Sequence, residues 1–166
     1  MATWLELLDQ QEYQDAVAEG VREALEELRP DLATELMGGT QLAYNLAFKR
    51  RSVDEVRLFA DGFFDSGVPD PEGGKYDYVA IAGQKRDVSL RTNMTMRETI
   101  ARRMLDDGEV QWIGNAIVFL DKYGVYMLIV SCSGLSDIAD EAAAELIASK
   151  VKRKLLTTQK QLELAA

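Results

Sequence analysis

The sequence predicts an α+β fold, a mainly antiparallel sheet of four or five strands packed by helices, with a helical N-terminal third. Three observations predict it: a helical apolar pattern near the start, two apolar runs around the turn Asp121–Gly124, and a helix-length segment after them. A length of 166 residues predicts one domain. Within 1–166 we expect a helical region at 1–65, a loop at 66–75 and an α+β core at 76–166.

Residues 2–29 are predicted to form a helix, because Val17, Val21 and Leu25 recur at four-residue spacing. Pro30 is expected to end or restart this helix, since proline cannot donate to the preceding turn. A second short helix is expected over Asp31–Met37, before a glycine pair stops it.

Thr40–Phe64 favours helix less clearly, with a partial stripe that includes Leu42 and Leu46. The interpretation is two helices, or one with a break, and a strand near Val56–Ala60 is the alternative. Ser66–Lys75 holds two of the three prolines, which makes it the clearest loop of the chain.

Short strands are predicted from Tyr76 onward. Tyr78–Ala82 is a brief apolar run and Asp87–Arg91 alternates polar with apolar residues, so together they predict a β-hairpin. Thr95 begins a capping-box spacing that predicts a helix to about Asp106. A further short strand is expected over Glu109–Ile113.

The clearest prediction is the segment that follows: strands at Asn115–Leu120 and Gly124–Ser131, the polar loop Ser131–Asp137, and a helix to about Leu162. Both faces of the second strand are apolar, so both must be covered. Helices cover one face. The other is expected to lie under the N-terminal helices or another subunit, which predicts a homo-oligomer.

Charge and composition limit the classes of function. The net charge is −9, which disfavours binding to nucleic acid and to anionic membranes. No apolar run approaches the ~18–20 residues of a membrane span, and the acidic N-terminus does not resemble a secretory signal. The single cysteine, Cys132, cannot form an internal disulfide, and these features predict a cytoplasmic protein.

The chain contains no histidine. This excludes catalysis by Ser-His-Asp or Cys-His groups, zinc sites built on histidine and a haem held by a histidine ligand. With one cysteine, a structural zinc site is not expected, and no metal ligands are predicted.

Element order and loop residues over 76–151 resemble the haem-degrading/haem-binding domain family, which includes the glycolate-utilisation accessory protein. The resemblance rests on Ser133-Gly134, on Asp140-Glu141 at the start of an alanine-rich helix, and on Gly114-Asn115 before a strand. It implies haem or a related tetrapyrrole as the ligand. An axial ligand would then be Cys132, a methionine, a tyrosine or a hydroxyl such as Ser133.

The candidate binding residues lie in the loop after the hairpin, where unsatisfied N–H groups at a helix N-terminus attract anions. The alternative is a plain N-cap by Ser136 or Asp137. Cys132 is a candidate nucleophile only if a cation lowers its pKa, and is otherwise a small buried hydrophobe. The candidates in this loop are Ser131, Cys132, Ser133 and Gly134.

Arg91 and Arg97 belong to a locally basic region that also contains Lys85-Arg86 and Arg102-Arg103. These two arginines are candidate partners for the propionates of a tetrapyrrole. The alternative is a solvated surface on which they pair with nearby acids.

The expected function is therefore a small cytoplasmic, non-catalytic ligand-binding or accessory protein, with haem or another tetrapyrrole as the ligand. The alternative is a structural or assembly protein that oligomerises, or docks a protein partner, through its sheet and N-terminal helices. An enzyme that uses Cys132 or an arginine-lined pocket is the third interpretation.

Overall fold

The computed structural model describes residues 2–59 and 61–166. Within them, five helices and a five-stranded antiparallel sheet confirm the predicted α+β fold. The elements in chain order are α1 Trp4–Leu7, α2 Gln11–Ala33, β1 Gln41–Arg50, β2 Val56–Leu58, β3 Gly62–Asp65, α3 Tyr78–Thr92, α4 Met96–Ala101, β4 Asn115–Phe119, β5 Tyr126–Ser133 and α5 Asp137–Ala165.

The sheet is built around β1 and β5, which pair over eight residues from Ala43↔Ser133 to Arg50↔Tyr126. The strand order is β2-β1-β5-β4, and β3 also pairs with β1, on the side where β2 lies. The predicted hairpin is confirmed as β4 and β5, joined by a turn at 120–125.

One face of the sheet is covered by α2 and α5, which run antiparallel. Lys154 of α5 pairs with Glu23 of α2 at 2.8 Å, while Lys150 reaches Glu27 at 3.8 Å. Apolar side chains between these helices and the sheet form the largest core cluster, because the inward faces of three elements meet there. Its fully buried members include Leu32, Leu42, Phe48, Leu128, Val130, Cys132, Ile147, Val151 and Leu155.

Helix α3 covers the opposite face of the sheet. Tyr78 and Ala82 pack on Ala43, and the α3 residue Leu90 packs beside Met127 and its neighbours. Both faces of β5 are therefore covered, as its pattern predicts. The second cover comes neither from the N-terminal helices nor from a second subunit, so the pattern no longer supports an oligomer.

The hairpin predicted over Tyr78–Ala82 and Asp87–Arg91 is wrong, because this segment forms α3. The Asp77 side chain caps the helix by accepting from the Ala80 N–H at 3.1 Å, and Asn93 ends it in the left-handed conformation. The buried side chains of α3 recur at helical spacing, which places them on the sheet. They are Tyr78, Ala82, Lys85, Val88 and Ser89.

The helical region predicted at 1–65 extends only to Ala33, since β1, β2 and β3 follow it. Leu42 and Leu46 lie four residues apart, a spacing that suits one face of a strand as well as one face of a helix. The alternative strand near Val56–Ala60 is confirmed over Val56–Leu58, and Ala60 lies outside the described residues. The α+β core therefore begins before 76.

Smaller differences concern where elements end. Pro30 lies inside α2, near its C-terminal end, where the missing N–H removes one helical hydrogen bond. Helix α4 ends at Ala101 rather than near Asp106, and Glu109–Ile113 is not a strand. Across 2–59 and 61–166, none of the helices has both the length and the apolar character needed to cross a bilayer.

Candidate functional site

A cleft of about 210 Å³ opens between helix α3 and the loop that joins β5 to α5. We call it the Lys85 cleft. Three aromatic side chains and four polar ones form most of its lining, which gives it apolar walls with a polar inner end. The lining residues are Tyr76, Tyr78, Ile81, Lys85, Trp112, Ser133, Gly134, Leu135, Asp137 and Asp140.

The inner end of the Lys85 cleft holds a buried ion pair. The Lys85 Nζ lies 3.4 Å from Oδ2 of Asp140 and donates to the Cys132 carbonyl oxygen at 2.8 Å. The exposed fractions of the Lys85 and Asp140 side chains are 1% and 4%. Burying either charge is costly, and the attraction between the two offsets part of that cost.

The second oxygen of the Asp140 carboxylate accepts the Leu135 N–H at 3.0 Å, so both carboxylate oxygens are engaged. Burial raises the pKa of Asp140 to about 6, against the opposing effects of the Lys85 ammonium and the Leu135 N–H. The group therefore changes charge near neutral pH, a property common in functional sites.

Glycine at position 114 allows the chain to pass directly beside this ion pair. Gly114 has φ +137°, and a Cβ there would lie 2.6 Å from the Lys85 Nζ and 2.8 Å from the Asp140 Cβ. Any other residue would strain the backbone and displace the pair. The close approach of Gly114 thus closes one side of the polar end.

The outer walls of the Lys85 cleft are aromatic. The Tyr76 and Trp112 rings meet edge to face with centroids 6.0 Å apart, and Tyr76 lies 6.3 Å from the Tyr78 ring. The Tyr78 hydroxyl donates to Asp70 at 3.0 Å, which fixes that ring. Trp112 remains 43% exposed, so its ring is accessible from solvent.

The predicted loop residues divide between the two faces of β5. Ser133 and Gly134 line the Lys85 cleft. The Ser131 hydroxyl is buried on the α3 side and makes no hydrogen bond among the described residues. The Cys132 thiol is directed into the core cluster under α2 and α5, and burial raises its pKa well above the usual value.

This placement corrects the role expected for Cys132. A thiol with no solvent access and a raised pKa is neither a nucleophile nor a ligand in the cleft. The residue serves through its carbonyl oxygen, which accepts from Lys85. The predicted N-cap is confirmed in Ser136, whose side chain accepts from the Ala139 N–H at 3.3 Å.

The two predicted arginines lie outside the Lys85 cleft. The Arg91 Nε donates to Glu109 at 3.3 Å, and Arg97 binds Glu141 at 2.9 Å. Both side chains are thus paired with acids at the surface, which is the alternative that the sequence also offers. The structure does not bring them to Ser133 and Gly134.

Sequence reasoning missed Lys85, Asp140 and the aromatic walls as parts of one site. The predicted hairpin leaves Lys85 between its two strands, and Asp140 enters the sequence argument only beside Glu141. The missed signal is the helical spacing of Tyr78, Ala82 and Lys85, which puts a lysine on a face otherwise suited to burial. A lysine on a buried face is expected to have a buried acidic partner.

Comparison with known proteins does not identify this site. The chain matches no family model, and no curated protein matches it. Among the described residues, no group of three or more histidine, cysteine or acidic side chains is placed to hold a metal ion. The geometry of the Lys85 cleft is therefore the basis for a functional proposal.

Proposed function

We propose that this chain is a non-catalytic ligand-binding protein and that the Lys85 cleft is its ligand site. The observation that carries the proposal is a buried Lys85–Asp140 pair at the inner end of a cleft with aromatic walls. Concave sites with apolar walls and a few fixed polar groups are typical of small-molecule binding.

The shape and charge of the cleft favour a flat and largely apolar ligand. Tyr76 and Trp112 offer ring surfaces for stacking. The volume of about 210 Å³ is below the roughly 300–1,000 Å³ of sites that enclose a whole drug-sized molecule. The cleft therefore suits a small ring system or the edge of a larger one.

Anionic groups of the ligand are expected to stay in solvent. Asp140 already neutralises Lys85, and Asp137 adds a carboxylate to the lining, so the cleft offers no excess positive charge. Arg91 and Arg97, the sequence-based partners for propionates, are paired elsewhere.

A tetrapyrrole is the first ligand class to test, because the resemblance to the haem-binding family implies it. The residues present fit the edge of the macrocycle, which would lie against the exposed Trp112 ring beside Tyr76. Of the candidate iron ligands, the Cys132 thiol lies in the core and the Tyr78 hydroxyl is bonded to Asp70, which leaves Ser133 and Tyr76 at the cleft. The macrocycle would supply a flat apolar surface to the stacking rings.

The deciding experiment compares haem with iron-free protoporphyrin IX. Purified protein is titrated with each compound, by absorbance for haem and by fluorescence for protoporphyrin. We expect saturation at one molecule per chain and similar dissociation constants, because ring contacts supply the affinity. Trp112→Ala should weaken both about tenfold, which corresponds to about 1.4 kcal/mol.

Tyr123→Ala is the matched control, since Tyr123 is an exposed aromatic residue in the turn between β4 and β5, outside the cleft. It should leave both dissociation constants unchanged. Failure of both compounds to saturate would contradict a tetrapyrrole ligand, and equal losses in the two variants would contradict this site. Much tighter binding of haem than of protoporphyrin would contradict affinity from ring contacts alone and would show that a residue binds the iron.

Assembly is the second candidate function. The coverage of the sheet by α3 removes one argument for a homo-oligomer. What favours assembly is the unpaired outer edge of β4, the last strand of the sheet. A solution mass well above that of one chain, measured by light scattering, would support self-assembly.

A further inference from the structure

One edge of the sheet is open along β4. Two backbone hydrogen bonds mark the ends of its pairing with β5. The Cys132 N–H donates to the Gly114 oxygen at 2.8 Å, and the Leu120 N–H donates to the Tyr126 oxygen at 3.0 Å. Because an antiparallel ladder alternates, the backbone groups of Ile117 and Phe119 point away from β5. No strand among the described residues lies beyond β4.

A groove lies on each side of this edge. On the α4 side, a cavity of about 540 Å³ is lined by Ile117, Phe119 and Met104 among others. On the α5 side, a cavity of about 480 Å³ is lined by Val118 and Leu156. The open strand and its two grooves, which we call the β4 edge, offer backbone hydrogen bonds together with places for alternate side chains. These are the requirements for binding an added strand.

The β4 edge is basic within an acidic chain. Arg51 and Arg102 line the groove on the α4 side, and Lys152 and Arg153 line the groove on the α5 side. Within the described part of the chain, only Arg102 of these four has a carboxylate within 4.0 Å, that of Glu98. The other three cations are available to a partner, although the net charge of the chain is −9.

We propose that the β4 edge docks an extended, acidic segment of a partner protein as an added strand. Backbone bonds to Ile117 and Phe119 hold the segment, and its apolar side chains enter the two grooves. Its acidic side chains meet Arg51, Lys152 and Arg153. A second copy of this chain fits less well, because two-fold pairing of β4 with β4 places each basic groove beside the same basic groove of the other copy.

The probe is a fluorescein-labelled eight-residue peptide of two Glu-Glu-Val-Val repeats, which places glutamate and valine on both faces of a strand. Fluorescence anisotropy reports its binding. We expect saturable binding that weakens with added salt, because Arg51 and Arg153 are exposed and Lys152 is only half-buried. The matched control peptide carries lysine in place of glutamate and should not bind. Light scattering of the protein alone is run in parallel.

Ile117→Pro removes an outward N–H that bonds to no other strand, so the sheet keeps its internal ladder. We expect it to weaken the glutamate peptide at least tenfold, which corresponds to at least about 1.4 kcal/mol. The double variant Lys152→Glu/Arg153→Glu changes only side chains and should weaken the peptide about tenfold. It decides the question if circular dichroism shows that the proline variant has not folded.

Three results would overturn the proposal. Equal binding of the two peptides would remove the role of charge. Unchanged binding by a folded Ile117→Pro variant and by the double variant would place the peptide elsewhere. A protein of twice the monomer mass that becomes monomeric in Ile117→Pro would show that a second copy occupies the β4 edge.

Discussion

The Lys85–Asp140 pair links three elements through a few atoms. Lys85 belongs to α3 and Asp140 to α5, and the lysine also binds the Cys132 carbonyl of β5. Desolvation of two charges costs more than their attraction returns unless every polar atom finds a partner. Here the carboxylate and the ammonium both find further partners, so the pair fixes the position of α5 against the sheet.

Asp140 gives the stability of the protein a specific dependence on pH. Its pKa is about 6 in the folded chain, above the ordinary 3.8, so the folded state favours the protonated form. The contribution of this group to stability is therefore greatest below its unfolded pKa and is lost as the pH rises through about 6. Relative to Asp140→Asn, we expect the free energy of unfolding of the native protein to fall by roughly 2–3 kcal/mol between about pH 4 and about pH 7.

Urea titrations of both proteins at several pH values measure this difference. Because the two proteins share all other titrating groups, the contributions of those groups cancel in the difference. Glu145→Gln is the control, because Glu145 is an exposed acid of the same helix α5. Two results would contradict the prediction. One is a stability difference between the native protein and Asp140→Asn that does not change with pH. The other is the same pH dependence of that difference for the control variant.

At this scale the sequence predicted two of the residues that line the Lys85 cleft. The polar loop after the hairpin predicted Ser133 and Gly134, because a strand, a small polar loop and a helix are recognisable locally. The direction of the Cys132 thiol could not be predicted in the same way. It depends on which layer covers each face of β5, and that requires α3, which the sequence did not reveal.

At the scale of elements, α2 and α5 approach closely at one glycine. A Cβ on Gly20 would lie 2.7 Å from the Val151 Cα, a backbone atom that cannot give way cheaply. Gly20→Ala should therefore destabilise the protein by about 1–3 kcal/mol, although alanine favours the helix itself. Thermal and urea unfolding measure the change.

Gly83→Ala is the matched control for that prediction, since Gly83 also lies in a helix. A Cβ on Gly83 would meet only the flexible end of Arg86, at 3.8 Å. Alanine should stabilise α3 there by about 0.5–1 kcal/mol. Stabilisation by both substitutions would show that Gly20 does not mark a close contact.

The elements that sequence reasoning recognised are those with one strong local signal. The β4–β5 hairpin has two apolar runs and a turn, and α5 has a cap and a long helical pattern. Sequence reasoning missed β1 and α3, because the spacing of their apolar residues fits the repeat of a strand as well as the repeat of a helix. Tertiary packing decided between them, since β1 is buried on both faces and α3 on one.

The whole molecule ties the two ends of the chain together. α2 near the start and α5 at the end pack on each other and share one core cluster with β1 and β5. Elements that share a core are expected to unfold together. We therefore expect the chain to unfold as the one domain that the sequence predicts over 1–166.

Two tryptophans provide a test of that cooperativity. Trp4 is 7% exposed in the core cluster under the helices, whereas Trp112 lies at the Lys85 cleft. Trp112→Phe leaves Trp4 as the fluorescent probe, and Trp4→Phe leaves Trp112. In each variant, the remaining tryptophan fluorescence and the circular dichroism should change at the same urea midpoint. Separate midpoints for the two signals within one variant would show that the chain unfolds in more than one unit.

The sequence by itself determined the fold class, the hairpin, the long C-terminal helix and the loop that carries Ser133 and Gly134. These follow from local periodicity and turn chemistry, which a few neighbouring residues encode. The tertiary structure alone decided that 78–92 is a helix, that Lys85 meets Asp140, and that Tyr76 and Trp112 form a wall. The reason is physical: a buried charge pair and a cleft are made by residues far apart in the chain, whose meeting depends on how the layers pack.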